Sequence, residues 1–279
     1  MLRVLGEVEA CVGGRVVDLG HPKQRCVLAV LIVARGRPVP IDILVDRVWG
    51  AAAPSRGRET VHSHLSRLRQ ALGAGDVSIT RRPGGYTVDS DESTVDLYAF
   101  WDACATAIAE NDDSRVVTLL TGALALWRGR ALAGLPGEWA EAERERLGRE
   151  RLAARTELAE ARLRLGEGAR LVPELEAFAA EHPYDERIAR LCMTALHRAG
   201  RTADALGHYR GIRVRLADDL GVDPAEPLAA LHQELLGTHR SVTTVPRQLP
   251  LAIRDFTGRE DHLAAPVWLL SLSDHASNV

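Results

Sequence analysis

Hydrophobic and polar positions follow two different periods in the first 92 residues of this chain. Residues 2–19 alternate with a period of two and break at Gly13 and Gly14, which predicts a small antiparallel sheet. Apolar positions then recur every three or four residues, and helices are predicted over 23–34 and 41–49. Beyond residue 95 helical spacing prevails, so the chain changes character at about that point.

A third helix, predicted over 59–72, has one apolar and one polar face. Its apolar stripe consists of Val61, Leu65, Leu68 and Leu72. Its opposite face carries Ser63, Ser66, Arg67 and Gln70. Arg pairs with guanine and Gln with adenine through two hydrogen bonds, and hydroxyls bond to either base. The pattern therefore predicts a helix that reads base edges in the major groove of DNA.

A short hairpin is predicted directly after this helix, over 77–88. Residues that favour strands flank a basic, glycine-rich turn, RRPGG, at 81–85. Strands, two helices, a third helix ending in SRLRQAL and a hairpin ending in GGYTV follow one another in this order. The order resembles the winged helix-turn-helix DNA-binding domain of two-component response regulators, in which the hairpin is the wing.

That resemblance implies roles for individual side chains. The positions expected to read bases are His62, Ser63, Ser66, Arg67 and Gln70. The positions expected to contact phosphates are Trp49, Arg58, Thr60, His64, Arg69 and Thr80. In the wing, Arg81 and Arg82 are expected at the minor groove, with the alternative for Arg81 that it points away from the DNA. For Ser63, Ser66 and Gln70 a plain exposed polar position is an equal alternative, and for Trp49 the alternative is packing in the core.

The second part of the chain is predicted to be all helical. Candidate helices cover 95–110, 114–127, 138–165, 169–181, 185–199 and 202–220. Short breaks pair them into about three helical hairpins, similar to tetratricopeptide repeats. We therefore expect an α+β winged helix-turn-helix domain over 1–92, an all-α tetratricopeptide-like domain over 93–237, and a linker or tail over 238–279.

The end of the helical part carries a second resemblance. Residues 182–236, from HPYDERIARL to LAALHQELL, resemble the end of the bacterial transcriptional activator domain. That domain follows this kind of winged helix in the Streptomyces antibiotic regulatory protein family. Residues 246–261, PRQLPLAIRDFTGRED, resemble the beginning of the nucleotide-binding module of its large members. The chain is thus similar to the N-terminal portion of a large-type member, and no GxxxxGK[ST] phosphate-binding loop follows.

Composition and charge narrow the function further. Residues 1–92 contain 13 Lys and Arg against 10 Asp and Glu, whereas the remainder contains 22 against 28, so the basic part coincides with the predicted DNA-binding domain. No apolar run approaches 18 residues and no secretion signal opens the chain, so we expect a cytoplasmic protein without membrane contact. The four cysteines form no CxxC pair, and no catalytic motif is recognisable; neither metal, cofactor nor enzymatic activity is expected.

The resemblance implies a transcriptional activator of a secondary-metabolite gene cluster, such as one for an antibiotic. Two copies are expected to bind direct repeats of double-stranded DNA near the −35 region of a promoter, as a homodimer on DNA. RNA polymerase and its principal sigma factor are the expected protein partners. The alternative is a regulatory scaffold whose helical domain senses a ligand or a nucleotide.

Overall fold

The N-terminal residues form a three-stranded antiparallel sheet in the order β1–β2–β3. The computed structural model describes residues 1–73 and 77–242. The strands are β1 (Leu2–Arg3), β2 (Glu9–Val12) and β3 (Arg15–Val17). Gly13 and Gly14 connect β2 to β3 with φ angles of 55° and 78°, which a two-residue hairpin turn requires and which glycine adopts without strain. The predicted sheet and its break are confirmed.

Three helices and a hairpin complete the winged helix. They are α1 (Pro22–Val33), α2 (Ile41–Trp49), α3 (Gly57–Leu72), β4 (Val77–Arg82) and β5 (Gly85–Ser90). The predicted apolar stripe of α3 is confirmed, because its four members are at most 2% exposed. At Gly57 a β-carbon would lie 2.9 Å from Cγ1 of Val45, so glycine permits α3 to start close against α2.

Helices make up the remainder of the described chain. They are α4 (Asp96–Ala109), α5 (Asp113–Ala125), α6 (Glu138–Arg164), α7 (Gly168–Glu181), α8 (Glu186–Arg198), α9 (Thr202–Arg215) and α10 (Glu226–Val242). Consecutive helices pack against each other from α4 to α6 and from α7 to α9. The fold class, a winged helix followed by an all-α domain, is confirmed, and the six predicted helices of this region are present.

Two predictions about the last helices were wrong. The helix expected over 202–220 leaves α-helical geometry after Arg215 and continues as a π-helical turn over Leu216–Leu220. Helix α10 was not predicted, and it runs past residue 237, where we expected a linker to begin. Pro227 lies in the first turn of this helix, where a missing N–H breaks no hydrogen bond.

The hydrophobic cores divide the chain differently from the predicted boundary at residue 92. One core joins the winged helix to α4, α5 and most of α6, and contains Leu2, Leu28, Leu65, Phe100 and Leu147. A second core extends from Ala159 to Leu235. The winged helix therefore shares its core with the first helices of the all-α region.

A buried carboxylate strengthens this connection. Asp96, at the start of α4, is 2% exposed and accepts hydrogen bonds from the backbone amides of Val4 (2.9 and 3.0 Å) and Leu5 (3.1 Å). Arg128 places its guanidinium 3.5 Å from the same carboxylate. Burial raises the pKa of Asp96, while these hydrogen bonds and the arginine oppose that rise. The N-terminal sheet and α4 are thus joined by hydrogen bonds as well as by apolar packing.

Residues Met1–Leu235 form one compact unit, and a second unit begins at Leu236. Within the described ranges, no helix has the length and apolar character needed to cross a membrane. The predicted beginning of a nucleotide-binding module, at 246–261, lies outside the described residues, as does most of the predicted tail.

Candidate nucleic-acid interface

The polar face of α3 is open to solvent. The five residues expected to read bases, His62, Ser63, Ser66, Arg67 and Gln70, are all exposed. Over residues 1–73 and 77–242, the side chains of Ser63, Ser66, Arg67 and Gln70 have no protein hydrogen-bond partner, and Arg67 has no carboxylate within 4.0 Å. Their donors and acceptors are therefore available to an external ligand.

Arg58, in the first turn of α3, is held by α2. Its Nε donates to Oδ1 of Asp42 (2.6 Å) and its Nη2 donates to Oδ2 (2.7 Å). Both side chains are more than 60% exposed, so this bidentate pair contributes at most about 1 kcal/mol. The ion pair orients Arg58, but Asp42 partly neutralises the positive charge that Arg58 presents. The sequence interpretation did not single out Asp42.

The base of the wing is attached to α3 through Tyr86. The phenol oxygen of this buried residue lies 3.2 Å from Nδ1 of His62. Arg69 places its guanidinium carbon 5.7 Å from the Tyr86 ring centre, and its Nε donates to the backbone oxygen of Ile79 (2.8 Å). His62 and Arg69 therefore brace the hairpin against α3, whichever further contact each makes.

The wing is also fixed to the segment between α1 and α2. Val39 and Tyr86 exchange two backbone hydrogen bonds of 2.9 Å. At Gly85 a β-carbon would lie 2.1 Å from the backbone oxygen of Val39, and φ is 152°. Only glycine allows the two backbones to approach this closely. The hairpin is thus placed by backbone contacts on one side and by α3 on the other.

The tip of the wing carries two arginines in different states. Arg82 donates from Nη2 to Oδ2 of Asp89 (2.9 Å), and the Thr80 hydroxyl donates to the same oxygen (2.7 Å). The hydrogen bond from Thr80 is the main reason why the pKa of Asp89 lies below its usual value. Arg81 is exposed and has no ion-pair partner within the described chain. At the tip, Arg81 is therefore more available to DNA than Thr80 or Arg82.

The prediction that His64 contacts a phosphate is wrong for this structure. His64 is 4% exposed, and both ring nitrogens are buried without a hydrogen-bond partner. The ring stacks on Trp49 (centroid distance 6.0 Å) and meets the edge of His21 (4.8 Å). Burial, followed by the nearby positive charges, lowers the pKa of His64 to about 4. A helical wheel alone could not show that His21, just before α1, and Trp49, at the end of α2, cover this position.

Two further predicted phosphate contacts lie near the start of α3. Trp49 is partly buried, as its alternative interpretation required, and Lys23 places its Nζ 5.2 Å from the Trp49 ring centre. The hydroxyl of Thr60 donates to the backbone oxygen of Arg56 (2.9 Å) instead of capping the helix. Lys23 is a cation beside the interface that the sequence interpretation did not include.

In this arrangement α3 and the wing present exposed cations around one face of the fold. A groove of about 580 Å³ lies between the start of α2, His62 and the wing residues Arg81 and Arg82. Within the described ranges no three His, Cys, Asp or Glu side chains come together as metal ligands. The arrangement suits hydrogen bonding and charge pairing with a polyanion.

Comparison with protein families gives two matches along the chain. Residues 14–88 match the family described as "Transcriptional regulatory protein, C terminal". Residues 95–236 match the "Bacterial transcriptional activator domain". Together they span the winged helix and the helical part.

Individual relatives agree with this assignment. Regulatory protein AfsR of Streptomyces griseus is 37% identical over 92% of this chain and 28% of its own length. Regulatory protein DnrI of Streptomyces peucetius is 33% identical over 90% of this chain and 99% of its own length. The chain thus spans little more than a quarter of AfsR but nearly all of DnrI.

A solved structure has the same fold. It is that of Mycobacterium tuberculosis EmbR in complex with a low-affinity phosphopeptide, with a TM-score of 0.81 and 34% sequence identity. The match covers 85% of this chain and 65% of the EmbR chain. With both domain families in this order and relatives of this similarity, the chain belongs to the Streptomyces antibiotic regulatory protein family of transcriptional activators.

Proposed function

We propose that this chain binds a specific DNA sequence by inserting α3 into the major groove and placing the β4–β5 wing beside it. The observation that carries the proposal is the unpaired state of Arg67, Ser63, Ser66 and Gln70 on an exposed helix face. An arginine without a carboxylate partner loses no ion pair when it binds guanine. Arg67 is therefore proposed as the main base-reading residue, supported by Gln70 and the two serines.

We rank the remaining predicted contacts by whether each side chain is already bonded within the protein. Arg58 binds a phosphate and Arg82 binds at the minor groove, and each gives up part of its ion pair, with Asp42 and Asp89 respectively, when it does so. Arg81 contacts DNA without such competition. His62 and Arg69 chiefly position the wing, because both already bond to its base. Trp49, Thr60 and Thr80 contribute at the margin of the interface.

At the level of the promoter, we propose a homodimer on direct repeats near the −35 region that recruits RNA polymerase through its principal sigma factor. We also propose that the target is a secondary-metabolite gene cluster. The family membership supports both proposals. A single major-groove helix and one wing per chain suit short half-sites spaced by about one helical turn, roughly 10 base pairs.

Footprinting on the gene neighbourhood at several salt concentrations tests this function. The wild-type protein should protect a pair of direct repeats, and Arg67→Ala should lose the protection. Arg115→Ala is the matched control, because Arg115 is an exposed arginine on α5, remote in sequence from the winged helix. Equal protection by the wild type and Arg67→Ala, or equal loss in both variants, would contradict the role of α3.

The alternative function, a ligand-responsive scaffold, is favoured by one observation. A cleft lined by arginine and tryptophan side chains lies between the winged helix and the helices that follow it. Such a scaffold would still require the DNA-binding surface, so the two functions are compatible.

A further inference from the structure

A cleft lies between the winged helix and the first helices of the all-α region. It has a volume of about 870 Å³ and is lined by the end of α1, the segment 38–40, α2, α4 and α6. Sites for small organic ligands commonly measure about 300–1,000 Å³ and often lie between structural units. The cleft is distinct from the DNA-binding face of α3, and no predicted DNA-contacting residue lines it.

Two arginines in this cleft have no acidic partner. Arg47, on α2, is half-buried with its guanidinium carbon 6.0 Å from the Trp139 ring centre. Arg37 follows α1 and donates from Nε to the backbone oxygen of Ala34 (3.2 Å). Within the described residues neither has a carboxylate within 4.0 Å. Arg37 is exposed, whereas Arg47 is partly desolvated without a counter-charge, so an anion bound beside Arg47 would be stabilised.

The aromatic side of the cleft is held in place by two other arginines. Trp101 has the guanidinium carbons of Arg35 and Arg146 at 5.7 and 5.6 Å from its ring centre. Arg35 is ion-paired with Asp102, and Arg146 with Glu143 and Glu150. The indole nitrogen of Trp101 also donates to Glu150 (2.8 Å). This network fixes an indole ring in the cleft before any ligand arrives.

The acidic residue that lines the cleft does not neutralise the free cations. Glu143 bonds to Arg146 and has a side chain only 12% exposed. Arg37 and Arg47 therefore remain as two cations without an acidic partner in a cleft that Trp101 and Trp139 also line. Tryptophan faces favour planar aromatic partners, and guanidinium groups favour phosphates and carboxylates.

We propose that this cleft binds a small planar aromatic anion. The ring of the ligand packs on Trp139, because the Trp101 ring is already covered by Tyr98 and the two arginines, and its phosphate or carboxylate pairs with Arg47 and Arg37. A bound ligand would contact α2 and the segment that holds Val39, and Val39 is hydrogen-bonded to the base of the wing. The site does not depend on the DNA-binding function, because its residues are separate from the face of α3.

Isothermal titration calorimetry with small probes tests the proposal on the full chain. The probes are 2-naphthyl phosphate and 2-naphthoate, which distinguish phosphate from carboxylate. The controls are 2-naphthol, which lacks the anion, inorganic phosphate, which lacks the ring, and cyclohexyl phosphate, whose ring is not planar. At least one naphthyl anion should bind about tenfold more tightly than every control.

Variants assign the binding to the cleft. Arg47→Met should weaken the naphthyl anion by at least about tenfold, as expected for the loss of a charge-assisted contact. Arg115→Met, on α5, should leave binding unchanged, and Arg37→Met is a second cleft variant should Arg47→Met fold poorly. No heat of binding with either naphthyl anion in the low millimolar range would overturn the proposal. Binding unaffected by the cleft variants, or no tighter than that of inorganic phosphate, would overturn it too.

Discussion

Acidification should destabilise the DNA-binding region through His64. The ring is buried without a hydrogen bond, and its pKa is lowered from 6.5 to about 4, first by burial and then by His21, Arg67 and Lys23. The unfolded chain therefore binds a proton at a pH where the folded chain does not. The stability contributed by neutral His64 is complete above pH 6.5 and is lost as the pH falls towards 4.

The size of this effect follows from the two pKa values. A shift of one pKa unit corresponds to about 1.4 kcal/mol, so the full shift is worth roughly 3 kcal/mol. At pH 5 part of this remains, and the loss relative to pH 7.5 is about 2 kcal/mol. Replacing the ring with leucine removes the titration. At neutral pH that change should cost less than about 1 kcal/mol, because no hydrogen bond is lost.

Urea denaturation at pH 5 and pH 7.5 measures the effect in the wild type and His64→Leu. The variant should show a smaller pH dependence of the unfolding free energy, by about 2 kcal/mol. Ser63→Leu is the control on the same helix, because this exposed side chain carries no titratable group, and it should keep the wild-type pH dependence. Parallel pH dependences of the wild type and His64→Leu would refute this account. His64→Leu should also bind DNA normally at pH 7.5, because its ring nitrogens are enclosed.

Three further predictions concern single residues. Arg67→Ala should weaken operator binding by about 1–3 kcal/mol in gel-shift titrations and relax base preference. Arg69→Ala should in addition lower the melting temperature of the protein, because it loses the hydrogen bond to Ile79 in β4. Gly85→Ala should destabilise the fold by more than about 3 kcal/mol in urea titrations, because the new β-carbon would overlap the backbone of Val39. The control, Gly122→Ala on an open helix surface, should stabilise the fold by about 0.5–1 kcal/mol. Asp96→Ala should cost about 2–4 kcal/mol by calorimetry, because it leaves the backbone amides of Val4 and Leu5 unpaired; a change under about 0.5 kcal/mol would contradict this.

The parts of the interface that depend on local periodicity were predictable from the sequence. The apolar stripe of α3 and its polar face follow from the spacing of residues within one helix. The ion pairs of Arg58 with Asp42 and of Arg82 with Asp89 were not predicted, because they depend on how separate elements meet. The assignment of His64 failed for the same reason, since His21 of the preceding segment covers its ring.

The two cores show, at the scale of domains, that contacts between separate elements cannot be predicted from local periodicity. The change from mixed to helical periodicity near residue 95 is local and was recognised. The packing of Phe100 and Leu147 into the core of the winged helix is not local, so a boundary drawn from periodicity cuts through shared apolar contacts. Helix α10 was not predicted, although Leu228 and Leu235 are each 1% exposed in the folded chain.

The shared core restricts how such regulators can be recombined. Helix α6 has 27 residues, about 40 Å at 1.5 Å per residue, and contributes Leu147 to the first core and Leu163 to the second. A gene fusion joined at residue 92 would transplant the winged helix without the part of its core that residues 95–161 supply. A fusion joined within the later turns of α6 would carry that support with it. Exchange of promoter specificity among relatives should therefore succeed with grafts of roughly 155 residues and fail with shorter ones.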